Sequence, residues 1–427
     1  MQKELKTRKL KKLNRFILIF FAVSLVAGSL FAQSGRLPYS KKEYLYIQHD
    51  SCYLEQFDDS PNLDKFFDKL DKLYFQGEGQ ISILHFGGSH IQAGIWSYSL
   101  RKQFESIIPD TEGAPGLVFP FSIAKTNHPY YYRSDYEGEW EISKVTDREP
   151  VDTIGLIGIT AKTTDSLAQI RVLFNPVANI NSRRFDKITV FHNIDDTIYQ
   201  ISLAQEELID TFLVNRELRA TEFYLTETID TFDLRITRVD TVEGEFLFYG
   251  ALLENSNPGI KYSGVGINGA ATFSYLKADY FDTHLKAIKP DLVIFSIGVN
   301  DAAGKNFSKL AYINNYKKLA DKMLMVNPDC AIIFTTNNDF YYYRGGVNPH
   351  YNDVYNSMVD LAKDYNACVW NMFRVMGGCK SINYWRNDNI ANKDRIHFTR
   401  AGYKILAGLL FDAIMKDYED HLREKSK

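Results

Sequence analysis

Five short apolar runs constrain this chain more than anything else in it: Ile81 to Phe86, Ile260 to Val265, Asp291 to Ile297, Cys330 to Thr335 and Ala367 to Asn371. Most carry apolar residues at consecutive rather than alternate positions, the mark of strands buried on both faces. Helical spacing separates them. Leu63, Phe66, Phe67, Leu70 and Leu73 precede the first run, and helical stretches fall near 272–287, 308–325, 351–365 and 399–422. Strands alternating with helices predict a parallel, doubly wound α/β sheet.

Between the first and second runs the texture changes. From 126 to 258, short runs rich in Ile, Val, Thr, Phe and Tyr recur with turn residues between them and no helical period. They are Trp140 to Val145, Asp152 to Ile159, Gln169 to Phe174, Lys187 to His192, Thr197 to Leu203, Thr221 to Thr226, Thr231 to Val239 and Gly244 to Leu253. That pattern predicts an all-β sandwich or jelly roll. One α/β domain, residues 33–125 and 259–427, is thus expected to be interrupted by a β domain over 126–258. Loop closure makes such insertions inexpensive in entropy.

Residues 1–32 stand apart. A basic stretch from Lys3 to Arg15 precedes an apolar run from Phe16 to Phe31, which ends in Ala32-Gln33-Ser34. The run is shorter than the ~20 residues of a spanning helix, and Gly28, Ser29 and Ala32 put small residues near its end. It reads as a secretory signal cleaved after Ala32, which predicts an exported, periplasmic or secreted chain with no stable membrane span. The net charge of −3 includes this leader; beyond it, 43 basic residues face 52 acidic ones, or −9. That is not the footprint of a nucleic-acid binder. Apolar residues at 45% and charged residues at 24% exclude wholesale disorder. Export raises the question of disulfides. Cys52, Cys330, Cys368 and Cys379 show neither CxxC nor zinc spacing. Cys330 and Cys368 fall in apolar runs and are expected to be buried; pairing, for example of Cys368 with Cys379, is left open.

In an open parallel sheet, ligands bind beyond the carboxyl ends of the strands. Gly87-Gly88-Ser89-His90 follows the first run, Gly266-Ile267-Asn268-Gly269-Ala270 the second, and Gly298-Val299-Asn300-Asp301 the third; Asp394-Arg395-Ile396-His397 precedes the last helical stretch. Singly, each has a plain structural reading: a tight turn at Gly87 to Ser89, a helix cap at Asn300-Asp301, a surface Asp394 and a structural His397. Together, in order and each at a strand end, they resemble the four blocks of the SGNH (GDSL-type) hydrolases, a family of esterases and deacetylases. The resemblance covers about 240 residues around the insertion. Within the family it is greatest to the bacterial peptidoglycan O-acetylesterases, through the inserted β-sandwich and the His after the Ser. It implies a flavodoxin-like fold, with Ser89 as nucleophile, Gly269 and Asn300 in the oxyanion hole, and Asp394 and His397 completing a triad. One departure stands out: the first block usually reads Gly-Asp-Ser, and here Gly88 replaces the acidic residue.

Side-chain chemistry supplies the mechanism to look for. A Ser hydroxyl needs a base within hydrogen-bond reach; His397 would take the proton and Asp394 would fix its tautomer. The Ser89 and Gly269 N–H groups and the Asn300 amide would bind the oxyanion, with Gly266 as the other candidate glycine. His90 reads equally as structural or as substrate-proximal. Tyr341-Tyr342-Tyr343-Arg344-Gly345-Gly346, and Tyr130-Tyr131-Tyr132 with Trp140, read as packing or as sugar-stacking surfaces. No HExxH or phosphate loop occurs, and Gly264 to Gly269 matches GxGxxG by letter only, so no cofactor or metal is expected. The expected activity is removal of acyl groups, acetyl foremost, from a cell-envelope polysaccharide. Acyl transfer on the same triad, and a non-catalytic glycan-binding protein whose site has decayed at Gly88, are the alternatives.

Overall fold

The five apolar runs form five parallel strands, Gln80–Gly87, Gly259–Gly266, Leu292–Ser296, Ala331–Thr335 and Cys368–Trp370, with Leu54–Glu55 antiparallel at one edge. The computed structural model describes residues 44–57, 63–108, 111–174, 183–194, 197–239, 243–304, 306–342 and 345–427. The expected leader, Tyr343 and Arg344 lie outside them. Across the sheet the strand 259–266 comes first, then 80–87, 292–296, 331–335 and 368–370. Numbered along the chain this is the order 2-1-3-4-5, flavodoxin-like, with its switch point beside the first strand. Helices Asp64–Asp71, Ile95–Ile107, Phe281–Ile288, Lys309–Val326, Tyr351–Tyr365 and Arg400–Lys425 accompany it.

Residues 126–258 supply most of two antiparallel sheets. The larger orders 209–215, 220–229, 185–192, 246–254, 159–163 and 141–144; the smaller orders 132–137, 167–174, 231–238 and 199–203. Gly116–Val118, ahead of the expected boundary, also pairs with 246–254. Ile170 and Val172 of the smaller sheet, Val190 and Phe248 of the larger, and Phe86 and Phe295 of the parallel sheet share one apolar core.

Two expectations change. Apart from Ile159, which opens the strand 159–163, Asp152 to Ile159 is not a strand. It is a loop that fastens the antiparallel sheets to the α/β half: the Ile154 N–H donates to Asp279 (2.8 Å), and the Tyr280 N–H donates to the Ile154 carbonyl (3.0 Å). That docking also interrupts the helix expected at 272–287, which becomes a 3-10 turn, Ser274–Lys277, followed by helix Phe281–Ile288. Ile209–Asn215 is an unforeseen edge strand. Phe212 and Leu213, both exposed, are adjacent in it and blur the alternation that would have marked it.

The register places the site. Gly87 pairs with Gly266 on one side and with Ser296 on the other, so three strands end at one level. At Gly266 the backbones nearly touch: a Cβ there would lie 2.6 Å from both the Gln92 nitrogen and the Gly88 carbonyl. Beneath them His85 ties the same strands together, with Nδ1 2.8 Å from the Tyr262 hydroxyl and Nε2 2.9 Å from that of Ser296. Burial lowers the His85 pKa to about 3.

Gly266→Ala should therefore destabilise the fold by roughly 1–3 kcal/mol through overpacking, and disturb the turn that carries Ser89; urea unfolding of the variant checks this. His85 gives a pH dependence of known sign. The unfolded chain gains a proton near pH 6.5, which the folded chain refuses until about pH 3. Stability thus falls as pH drops through that window. His85→Gln should reduce the slope by one proton, and an unchanged slope would show that His85 is not the group responsible.

Candidate active site

Ser89 opens the four-residue helix Ser89–Gln92 directly after the first parallel strand, with Gly88 at φ −111°, ψ −135° before it. Its hydroxyl lies 2.8 Å from His397 Nε2, and His397 Nδ1 lies 2.8 Å from an Asp394 oxygen. Asp394 and His397 sit on a loop closed by an Ala391–Phe398 bridge. The Asn392 N–H donates to the His397 carbonyl (2.8 Å), and the Asn338 amide donates to that of Ile396 (3.0 Å). The Arg395 guanidinium covers the Tyr341 ring at 4.0 Å, pinning the loop from outside.

The other Asp394 oxygen accepts the N–H groups of Ile396 (2.9 Å) and His397 (3.0 Å). Partial burial pushes the Asp394 pKa up. The His397 ring and the two backbone donors together outweigh that and hold it at about 2. Asp394 is therefore an anion at every ordinary pH, and a fixed acceptor for a proton on His397 Nδ1.

The oxyanion candidates come from the next two strand ends. Gly269 adopts φ +81° with open space where a Cβ would be, so backbone conformation rather than room selects glycine. The Asn300 amide donates to the Ala270 carbonyl (2.9 Å). Asp301 joins the two loops by accepting from the Thr272 N–H (3.0 Å) and hydroxyl (2.6 Å). Among the described residues, the Ser89 and Gly269 N–H groups have no protein acceptor. Gly266, the other candidate, serves close packing and does not line the cavity.

Ser89, Gly269, Asn300 and His397 surround one cavity of about 690 Å³, with Tyr341 and Tyr342 on its wall. Asp394 stands behind His397, so the five residues singled out in the sequence meet at one place. His90 does not line the cavity. It is buried, 2.8 Å from the Tyr403 hydroxyl, with its ring 5.1 Å from that of His397. Burial, and secondarily His397, lowers its pKa to about 3, so it backs His397 as a neutral ring. Tyr131 and Tyr132 are core residues, and Tyr130 is half-buried beneath the Arg400 guanidinium at 4.2 Å. A Cβ at Gly88 would lie 3.2 Å from the Ala270 carbonyl, so a side chain there would need the loop after the second strand to give by a few tenths of an ångström.

Sequence reasoning missed Gln92, Asn127, Asn268 and Asn392. The last three line the cavity, whereas Gln92 is buried behind it. The available signals were Gln92 one helical turn beyond Ser89 and Asn268 beside Gly269. The four cysteines are free thiols, so Cys368 and Cys379 are unpaired; Cys330 and Cys368 are buried as expected. Asp68, Asp71 and His421 approach one another as metal ligands would, but Lys425 donates to both carboxylates (2.5 and 2.7 Å) and supplies the cation. Among the described residues no helix is long and apolar enough to cross a membrane.

The GDSL-like Lipase/Acylhydrolase family matches residues 236–405, which include Gly269, Asn300, Asp394 and His397. The resemblance seen in the motifs is thereby borne out over those residues, and the match supports a carboxylic ester hydrolase. Among solved structures it is similar to a peptidoglycan O-acetylesterase, at 21% identity and a TM-score of 0.66, over 86% of this chain and 99% of that one. That likeness extends the shared fold through both the α/β and antiparallel parts. An acetyl xylan esterase (20% identity, TM-score 0.30) and a lipase/acylhydrolase from Enterococcus faecalis (20%, 0.30) each align with 36% of this chain, and with 81% and 76% of their own. No curated protein matches by sequence.

Asp394→Asn preserves shape but favours the wrong His397 tautomer. The kcat for p-nitrophenyl acetate should fall by roughly 10⁴-fold. A loss below threefold would mean that Asp394 does not orient His397.

Proposed function

We propose that this chain is an exported serine esterase that removes O-acetyl groups from a cell-envelope polysaccharide such as peptidoglycan. One observation carries the reading: Asp394, His397 and Ser89 form an unbroken relay of 2.8 Å steps that opens on a cavity also lined by Gly269 and Asn300. His397 takes the Ser89 proton as the hydroxyl attacks the ester carbonyl. The tetrahedral oxyanion is met by the Ser89 and Gly269 N–H groups and the free N–H of the Asn300 amide. Collapse returns the proton from His397 to the departing sugar oxygen and leaves an acetyl-Ser89 ester. A water, deprotonated by His397, then releases acetate.

Other features support the finer points. Tyr341 and Tyr342 offer flat rings to a sugar on the cavity wall. The leader supports export, and the similar solved structure acts in peptidoglycan chemistry by its own description. The two antiparallel sheets, centred on 126–258, are read as an inserted, carbohydrate-binding-module-like unit. Acyl transfer to a sugar hydroxyl in place of water uses the same residues; acylated acceptor rather than free acetate would mark it. The non-catalytic alternative rests on Gly88, yet the relay forms with Gly88 in place.

A fluorophosphonate should label Ser89, and Ser89→Ala should lower p-nitrophenyl acetate hydrolysis at least roughly 10³-fold. A variant as fast as wild type would end this reading.

A further inference from the structure

We propose that Asn127 and Asn268, held by Gln92 and Thr126, form a subsite for the acetamido group of the sugar that carries the ester. The inference rests on the esterase reading and adds a selectivity to it: N-acetylated hexosamines over sugars with a plain hydroxyl at the same carbon.

Buried Gln92, one helical turn beyond Ser89, organises the cluster. Its Nε2 donates to the Thr126 hydroxyl (3.1 Å), the Asn127 carbonyl (2.9 Å) and Asn127 Oδ1 (3.1 Å), while its Oε1 accepts the Asn268 N–H (2.6 Å). The Asn268 side-chain amide donates to the same Asn127 Oδ1 (2.7 Å) and to Thr126 (3.3 Å). Asn127 Oδ1 is thus fully engaged as an acceptor. Among the described residues, Asn127 Nδ2 and Asn268 Oδ1 have no protein partner, and both residues are exposed on the cavity that Ser89 shares.

The valences left over are a donor and an acceptor whose roles cannot be exchanged, because the internal hydrogen bonds fix both amides. A secondary amide is their complement, with a carbonyl that only accepts and an N–H that only donates. A hydroxyl can satisfy either partner and gains less from a fixed pair. Ala93 and Ile95 line the same cavity and provide apolar contact for a methyl group. Among the described lining residues there is no Lys, Arg, Asp or Glu, so the cavity favours a neutral group. Asn268 also precedes Gly269, so filling the subsite sets the ester against the oxyanion loop.

The test compares kcat/KM for 6-O-acetylated chito-oligosaccharide and 6-O-acetylated cello-oligosaccharide, which differ in the acetamido group at C2. Wild type should prefer the former by about tenfold. Asn127→Asp keeps the acceptor used by Gln92 and Asn268 but removes the donor; it should bring the ratio close to one, whatever loss both substrates share. Asn268→Ala, an independent variant, should do the same. A wild-type ratio near one, or variants that keep the preference, would overturn the subsite. If both sugars are cleaved without preference while Ser89 still labels, only the subsite fails. If neither is cleaved and Ser89 does not label, the esterase reading fails and the subsite with it.

Discussion

The parallel register of three strands is the constraint from which the rest of the site follows. Gly87, Gly266 and Ser296 are level across the sheet, so the residues just beyond them emerge together. Ser89, Gly269 and Asn300 each lie within a few residues of those ends and arrive at one crevice without a long excursion. Parallel strands cannot be joined by tight turns, so each crossover spends a helix or, here, a whole β insertion on the return. The insertion leaves the register untouched because both its ends return to the same sheet.

A level start does not by itself hold a site. Short polar braces do so, each joining loops distant in sequence. Asp301 ties the third strand's loop to the second through Thr272, and Asn300 grips the Ala270 carbonyl of that same loop. Gln92 ties the helix that carries Ser89 to the second loop and to residues 126–127. On the far side, Asn338 and the Arg395–Tyr341 stack hold the loop that carries His397. Buried, neutral His90 closes the back of the His397 ring without adding charge beside it. Donors held in advance of the reaction need not be reorganised as charge develops, which is where most of such catalysis originates.

Gly88 shows why a departure from a motif needs its surroundings to be understood. Next to the Ala270 carbonyl, a side chain at 88 would press on the loop that carries Gly269.

The central strands were legible because burial on both faces leaves a strong mark, as in Ile81 to Phe86. Motif order along the chain was legible too, since strand ends are where a parallel sheet must present its chemistry. Less visible were features whose signal is spread across partners. Asp152 to Ile159 has the composition of a strand, yet Asp279 and Tyr280, more than 120 residues away, make it a docking loop. Asn127 was likewise invisible, because nothing local distinguishes it from any other surface asparagine.

What the amino-acid order determined alone was the alternation of buried strands and helices and the positions of Ser89, Gly269, Asn300, Asp394 and His397 beyond them, since periodicity and turn chemistry act over a few residues. Only tertiary structure decided that a hydroxyl and an imidazole 308 residues apart lie 2.8 Å from each other. It also decided which glycine faces the cavity and which amides remain free, because those outcomes depend on which backbones approach each other once the sheet has closed its register.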